Sequence, residues 1–261
     1  MKEALLGLLG PARRKALSDA YARLRRASPL FADGRRERWV SGVYSERNNR
    51  IRRELFLDIA HFCHVSRPYR GYYFEFGCHS ARTMRMAWDS FRHLFDFRYV
   101  AFDSFEGLPE IRDIDHQEIW EKGKLKTEEA EFRRVCEAHG MPRDRLITVP
   151  GFFDVSLTPA LRDRLLPEPA AIVYIDCDLY ESTVPVLEFL VPFLVPGTVV
   201  VFDEWNAFNA DPRRGERRAF REFVARHADF AFEPLWSIGM HQVFVVSAAP
   251  AGAIAQGTGR K

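Results

Sequence analysis

The apolar residues of this chain fall into two rhythms. Ala170 to Ile175 is a continuous apolar run rich in β-branched residues, and it stops abruptly at Asp176 and Asp178. Thr198 to Phe202 repeats the same grammar and stops at Asp203-Glu204. Unbroken runs of that length suit strands buried on both faces of a parallel sheet, not half-wet antiparallel strands. Between them Val184, Leu187, Leu190, Val191 and Leu194 mark a helix, with Ser182 or Thr183 as its expected cap. Upstream, 72–77, 98–102 and 146–149 read as three further strands. Helices are expected over 81–93, 127–139 and 159–165, and a long loop over 104–126. Downstream, Asp211-Pro212 is expected to open a helix whose apolar face is Ala219, Phe220, Phe223 and Val224. Phe232–Ile238 and Gln242–Val246 are close enough to form an antiparallel pair. Before the sheet, 12–26 reads as a basic amphipathic helix with Leu17, Tyr21 and Leu24 on one face. A loop through Pro29 and Gly34 and a second helix bearing Ile51, Leu55, Ile59 and Phe62 follow.

Strands alternating with helices, closed by a hairpin, predict an α/β fold. The expected form is a Rossmann-like, doubly wound, mostly parallel seven-stranded sheet with a C-terminal antiparallel hairpin and N-terminal helices. Right-handed crossovers put the first and fourth strands side by side at the switch point. Ligands of such sheets bind outside the carboxyl ends of the strands. The expected division is a basic helical arm over 1–66, the α/β domain over 67–247 and an Ala/Gly-rich flexible tail over 248–261.

Composition changes this picture in three places. An apolar content of 47% supports a sizeable core. The net charge of +2 hides an asymmetry, since residues 1–53 hold 14 Lys/Arg against 5 Asp/Glu. Such an arm fits an acidic neighbour, most simply a second subunit, so a homo-oligomer is expected; the basic–aromatic interleaving of RNA binders is missing. Cys63, Cys78, Cys136 and Cys177 are scattered with no CxxC pair, which fits a reduced, cytoplasmic protein. The first nine residues hold too short an apolar run for a signal peptide, and the most apolar window, 189–202, is interrupted by Pro192, Pro196 and Gly197, so no membrane span is expected.

The chemistry sits at the strand ends. Asp176, Asp178, Asp203 and Glu204 converge on one spot, and carboxylates at that density repel unless a cation or a shared proton relieves them. A hard divalent metal on oxygen ligands is the first expectation. Glu75-Phe76-Gly77-Cys78-His79-Ser80-Ala81 follows a strand and opens a helix, with Gly77 allowing close backbone approach. Asp103 tips the second strand, where an acid accepts hydrogen bonds from ribose hydroxyls. The Gly-poor turn suits a nucleoside without phosphates, such as S-adenosylmethionine, better than a dinucleotide, and no P-loop is present.

Glu75-Phe76-Gly77, Asp103-Ser104-Phe105-Glu106-Gly107-Leu108-Pro109, Asp176-Cys177-Asp178-Leu179-Tyr180-Glu181-Ser182-Thr183 and Asp203-Glu204 occur in this order. Together they resemble the macrocin O-methyltransferase (TylF-like) family of class I methyltransferases, over about residues 45–247. The resemblance implies S-adenosylmethionine, a Mg²⁺ site and methyl transfer to a hydroxyl of a small molecule, often a sugar. It implies cofactor contacts from Glu75, Gly77, Asp103, Ser104 and Gly107, and from the Gly151-Phe152-Phe153-Asp154 loop near the adenine. Cys78, His79, Phe105 and Asp176 join that set by position. Asp176, Asp203 and Glu204 become the expected metal ligands. The chain departs from the family where a Gly-Gly pair is replaced by Ala81-Arg82, and where the second acid after the fifth strand is Glu204. A hydroxyl acceptor needs a base, and two residues are candidates: His116, in the loop where related enzymes carry a histidine, and Asp178. Cys78 and Cys177 read as wall residues, and His79 and His241 as structural. Two rivals remain at this stage. An apolar strand ending in DxD also fits a metal-dependent glycosyltransferase, and Glu204 with the altered first loop fits a cofactor-binding protein with a decayed metal site.

Overall fold

The computed structural model describes residues 11–28, 32–66, 70–118 and 120–250. The expectations for the first nine residues, Pro29 and the tail beyond 250 lie outside them. Two compact units divide at Arg52 and Arg53, within the helix Glu46–Ser66 and earlier than the expected boundary at 66. In the first unit α1 (Pro11–Ala27) and α2 (Ala32–Trp39) lead into a π-helical turn, Val40–Ser45. Gly34 is therefore helical, not part of a loop. Leu17, Tyr21 and Leu24 are exposed on α1.

The second unit holds a seven-stranded sheet in the order β3-β2-β1-β4-β5-β7-β6. Its strands are β1 (Tyr72–Phe76), β2 (Arg98–Asp103), β3 (Leu146–Pro150), β4 (Ala170–Ile175), β5 (Val199–Phe202), β6 (Ala231–Ile238) and β7 (His241–Ala248). The first five pair in parallel, while β7 runs antiparallel to both β5 and β6. This is the expected architecture, with β1 and β4 adjacent. The chain leaves β1 in one direction toward β2 and β3 and in the other toward β4 and β5, so a crevice opens between the carboxyl ends of β1 and β4.

Every residue of β1 and β4 is buried, as continuous apolar runs demand. Alternation then sorts side chains into two layers. Tyr73 of β1 packs with Leu55, Phe56 and Ile59 of the Glu46–Ser66 helix, α3, and with Met84, Ala87 and Phe91 of α4 (Arg82–Phe91). Phe132 and Cys136 of α5 (Glu129–Ala138) complete that layer. Tyr72, Phe74 and Phe76 face Leu161 and Leu165, Val186, Leu187 and Leu190, and Ala219, Phe220 and Phe223. These three groups lie on α7 (Pro159–Leu165), α8 (Tyr180–Leu190) and α9 (Gly215–Arg226); the short α6 (Phe153–Ser156) precedes them.

Two caps differ from expectation. α8 starts at Tyr180, so Ser182 and Thr183 lie inside it, and the Thr183 hydroxyl donates back to Leu179 O at 2.7 Å. α9 starts at Gly215, four residues after Asp211. The Asp211 carboxylate instead accepts from the Arg213 backbone N–H and guanidinium at 2.9–3.0 Å, a local turn that outcompetes helix initiation. Among the described residues no helix is long and apolar enough to cross a membrane.

Candidate active site

The crevice is built first by backbone. Gly77 follows β1 with φ +85°, and a Cβ there would lie 2.0 Å from the carbonyl oxygen of Asp176. Only glycine lets the turn after β1 cross so close to the end of β4. Asp176 N–H donates to Phe76 O at 2.8 Å and Gly77 N–H to Phe102 O at 2.9 Å, fastening the tips of β4, β1 and β2 together.

Asp103, half-buried at the tip of β2, organises the loops on this side. Its Oδ2 accepts from Cys78 N–H at 2.7 Å and His79 N–H at 3.0 Å, and its Oδ1 from Phe105 N–H at 2.7 Å. Ser104 donates to Gly107 O and accepts from Glu106 N–H, closing a tight turn. Gly107, at φ +90°, passes within 2.5 Å (as measured from a notional Cβ) of Lys124 O, so its glycine serves chain crossing. Gly151 N–H donates to Asp103 O at 3.0 Å, bringing the loop after β3 to the same edge. Gly151, Phe152 and Phe153 are half-buried there, Phe153 packing on Phe76 with ring centroids 5.8 Å apart. Ser104, Gly107 and the 151–153 loop thus gather around Asp103. Phe105 is buried against Phe132 instead.

Glu75 and Cys78 point elsewhere. Glu75 is fully buried; its two oxygens accept from the Thr83 and Tyr73 hydroxyls, each at 2.6 Å. Burial outweighs those two donors and pushes its carboxyl up to about 8. The Cys78 and Cys177 thiols are buried and pushed well above their ordinary value by burial, so neither is a thiolate nucleophile. His79 is exposed and pairs with Leu125 O at 2.7 Å.

The acids at β4 and β5 are crowded but do not form the expected metal group. Asp203 is 1% exposed; its Oδ1 takes the Tyr174 hydroxyl and lies 2.7 Å from His241 Nε2. It is thereby turned into the sheet, toward β4 and β7, while Asp176 and Glu204 are half-buried at the edge. Among the described residues no three His, Cys, Asp or Glu side chains are placed to hold a metal ion. With Asp203 engaged by Tyr174 and His241, this arrangement does not support the expected Mg²⁺ site of Asp176, Asp203 and Glu204.

Asp178 is buried in a left-handed conformation, φ +59°, which is costly for a non-glycine residue and concentrates at functional sites. Beside it stands a residue the sequence reading missed. Glu216, in the first turn of α9, is 1% exposed, and its Oε2 accepts from Glu204 N–H at 3.1 Å. Burial, then the charges of Glu204, Asp203 and Asp178, push its carboxyl well above the usual range. Its signal was present: Glu216 falls three, four and seven residues before Ala219, Phe220 and Phe223, on the buried face of the helix. His116 is exposed, and its carbonyl accepts from Arg214 at 2.9 Å.

A doubly wound sheet of this strand order, with glycine-mediated crossing at β1/β4 and an acid at the tip of β2, has the Rossmann-like architecture of class I methyltransferases. The macrocin-O-methyltransferase (TylF) family model matches residues 84–245, and the chain belongs to that family. A tetracenomycin-C rhamnosyl 4'-O-methyltransferase of Streptomyces olivaceus is 36% identical over 109 residues, 40% of either chain. The mycinamicin III 3''-O-methyltransferase of Micromonospora griseorubida is 31% identical over 111 residues, 40% of this chain and 42% of that one. The aligned segments thus span about two fifths of these curated relatives. Among solved structures, the calicheamicin methyltransferase CalS11 superposes with a TM-score of 0.61 at 22% identity, over 91% of this chain and 94% of that one. The O-methyltransferase NovP gives 0.60 at 21%, over 75% and 79%. These two likenesses are of fold.

Proposed function

We propose that this protein is an S-adenosylmethionine-dependent O-methyltransferase whose acceptor is a hydroxyl of a small molecule, most simply a sugar hydroxyl. The observation that carries the reading is the Asp103 edge: one carboxylate draws the loops after β1 and β2 together, with the glycine loop after β3 bonded to its backbone, beside the β1/β4 crossing. Family membership supports the reaction class. The sugar follows from relatives named for a rhamnosyl and a mycinamicin substrate.

The cofactor, when bound, supplies an electrophilic methyl group on a sulfonium. Half-exposed Asp103, Ser104, Gly107, Gly151, Phe152 and Phe153 are the groups that would hold it, with Gly77 keeping the floor of the crevice thin. Methyl transfer is an in-line displacement, so the protein's tasks are alignment and removal of one proton from the acceptor oxygen. His116 or Asp178 takes that proton. The acids crowded at the β4/β5 edge, with Glu216 among them holding its proton well above the usual carboxylate range, favour a proton moving toward that edge.

The test begins with binding. S-adenosylhomocysteine should raise the melting temperature, and UDP-sugars should leave it unchanged. A methyl α-L-rhamnoside should then accept label from S-adenosylmethionine. His116→Ala should lower kcat by roughly 10²–10⁴-fold if it is the base. Parallel runs with and without EDTA examine the acid edge separately, and equal rates would leave deprotonation to side chains. Absence of both S-adenosylhomocysteine binding and methyl transfer would sink the reading.

A further inference from the structure

The long loop after β2 is closed on itself. Leu108 N–H donates to Lys124 O and Gly123 N–H to Leu108 O, both at 2.9 Å, so residues 108–124 leave and return at one point. Loops of this kind are compact and frequently functional. Its far side is fastened to the β4–β5 side of the crevice by side chains that the reaction so far leaves unused.

Asp115 is the main fastener. It is 1% exposed although it stands in a polar loop. Its Oδ1 accepts from Tyr180 N–H at 2.8 Å and its Oδ2 from Glu181 N–H at 3.1 Å. These are the first amides of α8, which have no partner inside the helix and sit at its positive end. Leu179, at the cap position, supplies no side-chain acceptor, so the cap comes from another loop. Burial raises the Asp115 carboxyl, while the two amides and Arg214 oppose that rise.

Arg214 is the second fastener. Its Nε donates to Ile114 O at 3.2 Å and its Nη2 to His116 O at 2.9 Å, on either side of Asp115. Its guanidinium lies 4.3 Å over the Phe208 ring, and Trp120 of the loop meets the same ring at 5.1 Å. Phe208, Asn209 and Ala210 all have positive φ, a strained turn that persists only where its surroundings hold it. The helix that Asp115 caps begins two residues after Asp178. The cap therefore ties the position of His116 to that of the Asp176–Asp178 turn.

We propose that Asp115 and Arg214 are positioning residues of the methyl transfer: together they hold residues 108–124, His116 among them, in fixed relation to the Asp176–Asp178 turn. This rests on the methyl-transfer reading above. A carboxylate is required at 115, because an amide offers one acceptor where the helix presents two donors.

The test uses the full chain, S-adenosylmethionine and a methyl α-L-rhamnoside, with amide exchange read alongside turnover. In Asp115→Asn, amides of 108–124 should exchange at least about tenfold faster while those of β1 and β4 keep their protection. kcat should fall roughly tenfold or more, and S-adenosylhomocysteine affinity should stay within about threefold, since a local opening leaves the Asp103 edge intact. Arg214→Gln, at a half-buried site where folding is safer, should reproduce both effects more weakly. In a His116→Ala background Asp115→Asn should cost nothing further, because the two act through one step. Additive losses, or unaltered exchange in 108–124, would overturn the proposal. A wild type that transfers methyl no faster than Asp115→Asn and Arg214→Gln also overturns it, with the methyl-transfer reading left standing. A wild type that neither binds S-adenosylhomocysteine nor transfers methyl brings down that reading first, and this proposal with it.

Discussion

Asp103 and Glu216 stand at the same edge of one sheet, and their surroundings are opposite in kind. Asp103 receives three backbone N–H groups from two loops. Glu216 accepts from Glu204 N–H and from the Cys177 backbone, and these are outweighed by burial and by the charges of Glu204, Asp203 and Asp178. On the β1–β3 side a carboxylate acts as a template on which loops are shaped. On the β4–β5 side carboxylates are packed against each other, and burial plus mutual repulsion holds a proton on at least one of them. A site that must grip one molecule and take a proton from another needs both kinds of edge, a rigid one and a basic one. Gly77 is where the two meet.

The largest effect should come from that meeting point. Gly77→Ala would place a Cβ 2.0 Å from Asp176 O at a φ of +85°. Neither strand end can retreat without breaking the Asp176 N–H to Phe76 O bond. A loss of about 4–5 kcal/mol in urea unfolding is expected, with S-adenosylhomocysteine binding abolished. A variant that folds and binds normally would show that the two edges are not coupled through this crossing.

Glu75 complicates the comparison, since it lies on the β1 side yet behaves like the acid edge. Its folded value is about 8 against an ordinary 4.5. The native state therefore keeps a proton that the unfolded chain releases. Its contribution to stability is complete below about pH 4.5 and is lost as pH rises through about 8. Each unit in that window corresponds to about 1.4 kcal/mol, so the whole window is on the order of 5 kcal/mol. Glu75→Gln should remove that share of the slope in urea midpoints measured from pH 5 to 8, while the slope due to Glu216, which has the same sign, persists. An unchanged slope would place Glu75 outside the linkage.

Asp103→Ala comes next. It orphans three N–H donors and removes the expected ribose acceptor, so S-adenosylhomocysteine binding should weaken by about 1.5–3 kcal/mol in calorimetry. Unaltered affinity would confine Asp103 to loop shaping.

Much of this frame was legible from residues alone. Unbroken apolar runs gave the buried strands, and strand ends gave Asp103, Asp176, Asp178 and Asp203 as edge residues. The direction in which each acid points was not legible. Asp203 turns inward because the Tyr174 hydroxyl, 29 residues back on neighbouring β4, donates to it, and His241 Nε2 on β7 lies 2.7 Å from the same oxygen. Glu75 faces the core because alternation puts it on the Tyr73 face, a fact the period of two contained. The caps of α8 and α9 failed as predictions for one reason: a local Asp or Ser rule was applied where a distant side chain, Asp115, or a competing turn at Asp211 supplied the acceptor. Asp115 has no periodic signature at all, since loop positions carry none.

The smallest effect is expected from Arg112, which makes the sharpest control for its neighbour. Arg112 Nη1 lies 2.9 Å from Glu181 Oε1, so it joins the same loop to the same helix end as Asp115 does. The pair is solvated, with side-chain exposures of 76% and 35%. An exposed ion pair gives up side-chain entropy and is screened by salt, so its net worth is about 0–0.5 kcal/mol. Asp115 meets the same helix through two buried amide bonds instead. Arg112→Ala should therefore leave amide exchange of 108–124 within about twofold of wild type, and 0.5 M salt should erase even that difference. If Arg112→Ala opened the loop as far as Asp115→Asn does, long-range charge and not the buried cap would be holding it. The contrast between a templating edge and a crowded one would then need a surface term of comparable size.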